Sequence, residues 1–431
     1  MESDRPVRVV VLGAGFGGLA FCHAFRHRRA HITLIDRQNH HLFQPLLYQV
    51  ATAGLSSPEI AQPIRSIFRH RPDIEVCLDE VIDIQAAERR VVGRSRSFDY
   101  DYLIVALGGR TSYMGHPEWE EFAPGLKSLA DAHQIRRNLL LAFERAENST
   151  DDMERRQLMT TVIVGGGPTG VELAGAIAEL TSVILREDFR RIDPRQARCV
   201  LVQSGARLLN EYPDGLSQNA RESLEKLGVE VRTGLRVQNI TRNCVDLGTE
   251  KILAETIIWA AGVQASPLTA KLGVPMDRGG RINPSPDLSL PNHPEIFAVG
   301  DLVSMTDVDG QVVPGIAPAA MQAAKHVAQV LADELDGDPD ARRPFDYWDK
   351  GMMATIGRSA AVASFRGIEL TGFIAWVAWL FIHLLFLAGF RNRAAVLLQW
   401  IYAYVAFKRG ARIITTAVDP KRQESPVKPQ S

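Results

Sequence analysis

The chain of 431 residues is poor in cysteine: Cys22, Cys77, Cys199 and Cys244 stand far apart, with no C-x-x-C pair and no zinc-ligand spacing. That argues against a redox-active disulfide and against a cysteine-built metal centre, so no metal is expected and a reducing compartment is. Excess charge is missing too, with 49 basic against 50 acidic side chains. No global field draws the protein to nucleic acid, and no nucleic-acid partner is expected. The N-terminus, Met1 to Arg8, lacks the basic-then-apolar layout of a secretory signal.

What is present is a repeated plan. A strand, a glycine turn and a helix occur at Val7–Phe25 and again at Thr161–Leu180. Ile32–Asp36 and Tyr102–Gly108 follow the first copy as apolar strands, and Cys199–Gln203 and Thr256–Gly262 follow the second in the same order. Leu129–Glu147 reads as an amphipathic helix ending in the polar linker Asn148–Arg156. Ile296–Val299 is a further strand, Ala317–Leu335 a helix and Asp336–Pro344 a linker. The expected fold is α/β, with two dinucleotide-binding, Rossmann-like domains and a C-terminal helical segment. The expected boundaries are residues 1–112 with 266–338, a connecting helix in 113–156, then 157–265, then a tail from 339 to 431.

In Val9–Gly18 a strand feeds a G-x-G-x-x-G turn. Gly13 permits the bend, Gly15 admits a pyrophosphate close to the backbone, and Gly18 lets the helix pack on the strand. The phosphates then meet a helix N-terminus. Asp36 ends the next strand, where a carboxylate accepts from adenosine ribose hydroxyls. Gly165, Gly167 and Gly170 repeat the three roles, but the matching strand ends in Gln203, with Arg207 nearby. A neutral amide leaves NADH and NADPH both open, because only a carboxylate would repel a 2′-phosphate. Two such folds suit a flavin reductase, in which a nicotinamide must stack near an isoalloxazine ring. Asp301, after Gly300 at a strand end, suits a second flavin contact through a ribityl hydroxyl, or is simply a helix cap.

With these parts in place the chain resembles the type II NADH:quinone oxidoreductases, single-subunit, non-pumping flavoproteins. The resemblance rests on Asn39–Tyr48, Asp188–Pro194, Ile258–Val263, Gly351–Arg358 and Gly389–Arg393. It implies that Gly13, Gly15, Gly18, Asp36, Ala106, Gly108 and Asp301 hold FAD. It implies likewise that Gly165, Gly167, Gly170, Glu172, Gln203 and Gly262 surround NADH, or NADPH. Glu172 is then a carboxylate beside nicotinamide and flavin, able to orient a ring or relay a proton; by itself it is also a favourable charge at a helix start. The family's quinone motif carries two glutamines four residues apart. Here Ala317–Gln322 has Pro318 at the first position and keeps Gln322, the candidate contact to a quinone carbonyl.

The tail carries about two basic residues for each acidic one after Asp340, together with the apolar blocks Leu370–Phe390 and Ala394–Phe407. The first block is long enough to span a bilayer as one helix, residues 370–390. The resemblance implies instead a peripheral helix on the cytoplasmic face of the cell membrane. Trp376, Trp379, Trp400, Tyr402 and Tyr404 are of the types found at headgroup level, and Arg391, Arg393, Lys408, Arg409 and Arg412 suit lipid phosphates. Lacking a polar face, the first block should pack one side on the flavin domain or a second subunit. His383 is either a quinone proton donor or a structural residue. The partners expected are a membrane quinone, the bilayer surface and a second copy of the chain as a homodimer.

Overall fold

The computed structural model describes residues 5–387, 390–406 and 411–414, with backbone alone for 390–391 and 403–406. Its largest sheet has six strands in the order Ser289–Leu290, His293–Ala298, Tyr102–Val105, Val7–Leu12, Ala30–Asp36, Ile74–Leu78. All neighbours are parallel except the Ser289–Leu290 edge pair. Val9, Val11, Leu34, Leu103 and Ile104 are fully buried, as in a parallel sheet covered on both faces. The strand His293–Ala298 brings the late chain back beside Tyr102–Val105, and the helix Ala317–Asp336 packs along the first-turn helix Phe16–Ala24. The first sheet is therefore closed by sequence that arrives after the second sheet is complete.

The second sheet is parallel throughout, in the order Val229–Thr233, Arg198–Gln203, Thr160–Val164, Thr256–Trp259. Against it lie the helix Pro168–Glu179 and the long helix Leu129–Asn148, whose start is fixed by a reciprocal cap between Ser128 and Asp131. Two short antiparallel strands, Gly109–Thr111 and Val263–Ala265, tie the two sheets together.

The tail departs from expectation in two ways. It opens with a three-stranded antiparallel sheet, Met352–Thr355, Ala361–Phe365 and Ile368–Thr371, where only helix was expected. Its tight hairpin is built on Arg366 and Gly367, both at positive φ, a two-residue turn whose twist suits paired strands. The 370–390 run is likewise no spanning helix. Thr371 still belongs to a strand, Gly372 turns at φ +64°, and the helix Gly372–Phe386 has fifteen residues. At 1.5 Å per residue that is about 22 Å, against a hydrocarbon core of roughly 30 Å. No described helix is long and apolar enough to cross a membrane. A second helix, Phe390–Ala406, follows.

Candidate dinucleotide and flavin site

The first glycine turn is built around positions that no side chain would tolerate. Gly13 sits at φ +96°, and a Cβ there would stand 2.5 Å from the carbonyl oxygen of Ala106. A Cβ on Gly18 would lie 1.8 Å from the oxygen of Gly13, so helix and turn touch backbone to backbone. Gly15, at the helix cap, and Gly108 face open space with no heavy atom within 4 Å, which leaves a cradle for a phosphate. Asp36 accepts from the backbone N–H of Ala14 at 2.6 Å and of Gln38 at 2.7 Å, which aims its carboxylate at the turn. Asp301 pairs with Lys127 at 3.6 Å. Sequence reasoning did not single out Lys127, which stands just before the Ser128 cap of the long helix.

His41 was also unassigned, although it lies in the run Asn39–Tyr48. It is buried and donates from Nδ1 to the carbonyl of Ala14 at 2.9 Å. Burial holds its ring below the usual histidine range, so it is a neutral brace of the turn. From it a series of edge-on rings runs outward: His41 to Phe16 at 5.2 Å, Phe16 to Phe43 at 5.6 Å, Phe43 to His383 of the tail at 6.2 Å.

The second turn repeats the first. Gly165 is at φ +114°, with a would-be Cβ 2.6 Å from Ala260, and a Cβ on Gly170 would lie 1.8 Å from the Gly165 oxygen. Gly167 caps its helix and faces open space. Gln203 Oε1 accepts from the N–H of Gly166 at 3.0 Å, the same backbone position that Asp36 engages in the other domain. Arg207 is held by the carboxylate of Asp214 and donates to the Asn210 carbonyl at 2.9 Å. Gly262 is at φ +96° and faces Ser112 and Met114.

Glu172 follows the third glycine of this copy. Burial pushes its carboxyl up to about 8, opposed only by the backbone N–H of Thr355, from the tail sheet. The carboxyl thus keeps its proton at neutral pH while an edge of the residue stays accessible. One turn further on, Gly175 packs so tightly on the tail that a Cβ would be 2.6 Å from the nitrogen of Gly357. Gln322 is engaged elsewhere: its amide donates to the Trp348 carbonyl at 3.0 Å and accepts from the Trp348 N–H at 3.1 Å. It lies in the second turn of the helix whose start, at Ala320, abuts Gly300.

The tail helices dock on the helix Leu47–Ala51. Ala375 and Trp379 are buried, Trp379 lies 6.5 Å from the Tyr48 ring, and Trp400 donates its indole N–H to Gln49 at 2.9 Å. The opposite face, including Ile374, Phe381 and Leu385, is exposed. One side of the first helix therefore packs on the body of the protein, as expected. His383 stacks on Trp379 at 4.2 Å and donates to its carbonyl at 2.8 Å; burial lowers its pKa to about 4. It is a neutral structural ring and does not hold a proton for a quinone. Arg412 forms an ion pair with Asp188, not a free cation for phosphate, and Arg393 donates to the carbonyl of Leu387 at 2.8 Å. The side chains of Arg391 and Tyr404, and Lys408, Arg409 and Gly389 altogether, lie outside the described residues.

Comparison with known proteins agrees with the fold. The family model for pyridine nucleotide-disulphide oxidoreductases matches residues 7–324. A type II NADH:quinone oxidoreductase of Mycobacterium tuberculosis is 44% identical, over 96% of this chain and 91% of that relative. An internal alternative NAD(P)H-ubiquinone oxidoreductase of Arabidopsis thaliana mitochondria is 28% identical over 96% of this chain and 86% of its own. Among solved structures, NDH2 from Plasmodium falciparum in complex with NADH superposes with a TM-score of 0.87 at 19% identity, covering 96% of this chain and all of that one.

Proposed function

Because the chain belongs to the type II NADH:quinone oxidoreductases, within the pyridine nucleotide-disulphide oxidoreductase family, we propose that it oxidises NADH and reduces a membrane quinone through bound FAD. The observation that carries this is the pair of matched glycine turns, each with clear space at its helix cap and a strand-end side chain on the same backbone donor.

The residues fit FAD. Gly15 and Gly108 leave the cradle open, Asp36 offers a carboxylate for ribose, and Asp301, held by Lys127, stands ready for a ribityl hydroxyl. When bound, FAD supplies the acceptor for a hydride and the donor of two electrons. The protein orients and manages protons. Gly165, Gly167 and Gly170 seat the pyrophosphate of NADH, with Gly262 beyond them, and the protonated Glu172 holds a proton near the reacting rings. Net reduction of a quinone by NADH consumes one proton from solution, and Glu172 is the group we assign to carry it. Gln322 stands at the right end of its helix for a quinone carbonyl, but contact requires its pair with Trp348 to open.

NADH is favoured over NADPH, since Arg207 already has Asp214 as partner. We assign residues 1–112 with 266–338 to FAD, 157–265 to NADH and 339–431 to membrane association. The exposed face of the tail helices lies on the cytoplasmic leaflet as a monotopic contact, and transport of protons across the bilayer is not part of the cycle. A homodimer is the proposed assembly, tested by sedimentation in detergent. A disulfide or persulfide chemistry on the same fold is disfavoured, because burial pushes both the Cys22 and Cys199 thiols up to about 12.

The test is steady-state turnover by the flavin-loaded protein in vesicles, with NADH and a short-tailed ubiquinone or menaquinone. NADH-dependent quinone loss in 1:1 ratio, without internal acidification, supports the reading. Flavin-loaded protein that oxidises no NADH with either quinone rejects it.

A further inference from the structure

The loop after Gly109–Thr111 runs beside Gly262 and is tied down at almost every residue. Ser112 donates its N–H to the Gly262 carbonyl at 3.2 Å, and its own carbonyl accepts from the Trp259 indole at 2.8 Å. Tyr113 is buried and donates to the Ala123 carbonyl at 3.0 Å, while His116 stacks on Trp119 at 4.1 Å. Met114 is held more lightly: its N–H donates to the Ser112 hydroxyl at 3.4 Å, and that hydroxyl faces its thioether sulfur at 4.0 Å. It holds φ +53°, a conformation that side chains with a Cβ rarely adopt, and it is 64% exposed. Its terminal methyl is folded back over Gly262, so close that a Cβ on that glycine would lie 2.4 Å from Met114 Cε.

We infer that Met114 is a positioning residue of the dinucleotide cleft, a flexible cover that swings off Gly262 to admit the nicotinamide end of NADH and then packs its thioether against the ring. The inference rests on the proposed place of the nicotinamide beside Gly262. Three features of the side chain suit this use. An unbranched chain with three rotatable bonds moves without disturbing its neighbours, and a thioether packs favourably at the edge of an aromatic ring. The backbone beside it is fixed, with Ser112 held by the Trp259 indole and the Met114 N–H held by the Ser112 hydroxyl, so the motion is confined to the side chain. The strained φ, followed by Gly115 at φ +97°, goes with a side chain that is exposed and lies over Gly262, while Tyr113 and Trp119 on either side pack in the core. Such a cover acts on how tightly NADH is held, and leaves the hydride step itself unchanged once the ring is seated.

The test uses the flavin-loaded enzyme in anaerobic stopped flow, following flavin reduction over a range of NADH concentrations for wild type, Met114→Ala and Met114→Leu. Because the residue is exposed, flavin content should be unchanged in both variants. Loss of a thioether–ring contact is expected to raise the apparent Kd for NADH by about two- to tenfold in Met114→Ala, with a limiting rate within about twofold of wild type. Met114→Leu should recover part of the affinity, and reoxidation by quinone should not change in either. An unchanged or lowered Kd in Met114→Ala, or a loss confined to the limiting rate, overturns the inference. Failure of NADH to reduce the wild-type flavin would instead strike the function on which it rests.

Discussion

The backbone N–H of Thr355, in the tail sheet, lowers the pKa of the Glu172 carboxyl, on the helix of the second glycine turn, against the burial that raises it. A segment expected only to hold the membrane thereby reaches the proposed proton-carrying group. Burial raises the Glu172 pKa to about 8. The sign follows: the group is protonated below that value, and any stability it contributes is complete below the ordinary carboxylate range and lost as pH rises through about 8. Quinone reduction by the wild type should therefore fall as pH passes about 8. Glu172→Gln, which keeps the shape of the neutral acid, should turn over more slowly and lack that limb. A pH–rate profile of the two proteins checks this, and an unaltered limb in the variant removes Glu172 from the proton step.

The two glycine turns should fail separately. A methyl on Gly18 or Gly170 would enter the space of a backbone carbonyl, 1.8 Å away in each case. Gly18→Ala is expected to purify with little or no yellow flavin. Gly170→Ala should keep its flavin and lose reduction by NADH by at least about tenfold in kcat/KM, because the pyrophosphate no longer meets the helix. Absorbance spectra and NADH kinetics distinguish the two defects.

Coenzyme choice should follow the Arg207–Asp214 pair. The wild type is expected to prefer NADH by about tenfold or more, the effect of roughly 1.4 kcal/mol in binding a 2′-phosphate without a dedicated cation. Asp214→Ala frees the guanidinium and should narrow the preference by improving NADPH, with NADH nearly unaffected. Parallel kcat/KM values for both coenzymes provide the check.

Membrane attachment should depend on the exposed face of the tail helix and not on its buried one. Ile374 is 69% and Phe381 62% exposed, so Ile374→Asp with Phe381→Asp leaves the packing of Trp379 on Tyr48 intact. The double variant should stay folded and flavin-loaded yet leave the vesicle pellet in co-sedimentation. Cutting the chain after Pro344 is a poorer experiment, because it also removes Thr355 from Glu172 and exposes the helix face that Gly175 packs against the tail.

The parts legible in the sequence were those where a residue type is demanded by backbone geometry. Gly13, Gly18, Gly165 and Gly170 are forced by positive φ or by carbonyl contact, and the spacing of such residues is enough to declare the turn. The inner parallel strands were readable as apolar runs, whereas the edge strands Ile74–Leu78 and Val229–Thr233, each interrupted by a glutamate, went unread. The tail was harder. Its strands are four or five residues long, and the hairpin signal, Arg366–Gly367 between Phe365 and Ile368, is a single dipeptide. A run of apolar residues does not show where a helix stops, so the break at Leu387 was hidden. His41, Lys127 and Thr355 escaped because their importance lies in partners distant in the chain. No local pattern announces that Lys127 meets Asp301 or that a strand N–H lowers the pKa of Glu172.

The central claim is that one bound flavin passes electrons from a nicotinamide to a lipid-soluble acceptor. The most direct measurement mixes the anaerobic yellow protein first with one equivalent of NADH, then with one equivalent of a short-tailed quinone. The account predicts bleaching of the flavin band in the first step and its full return in the second, each faster than overall turnover. Bleaching that no quinone reverses, or no bleaching at all, would contradict it.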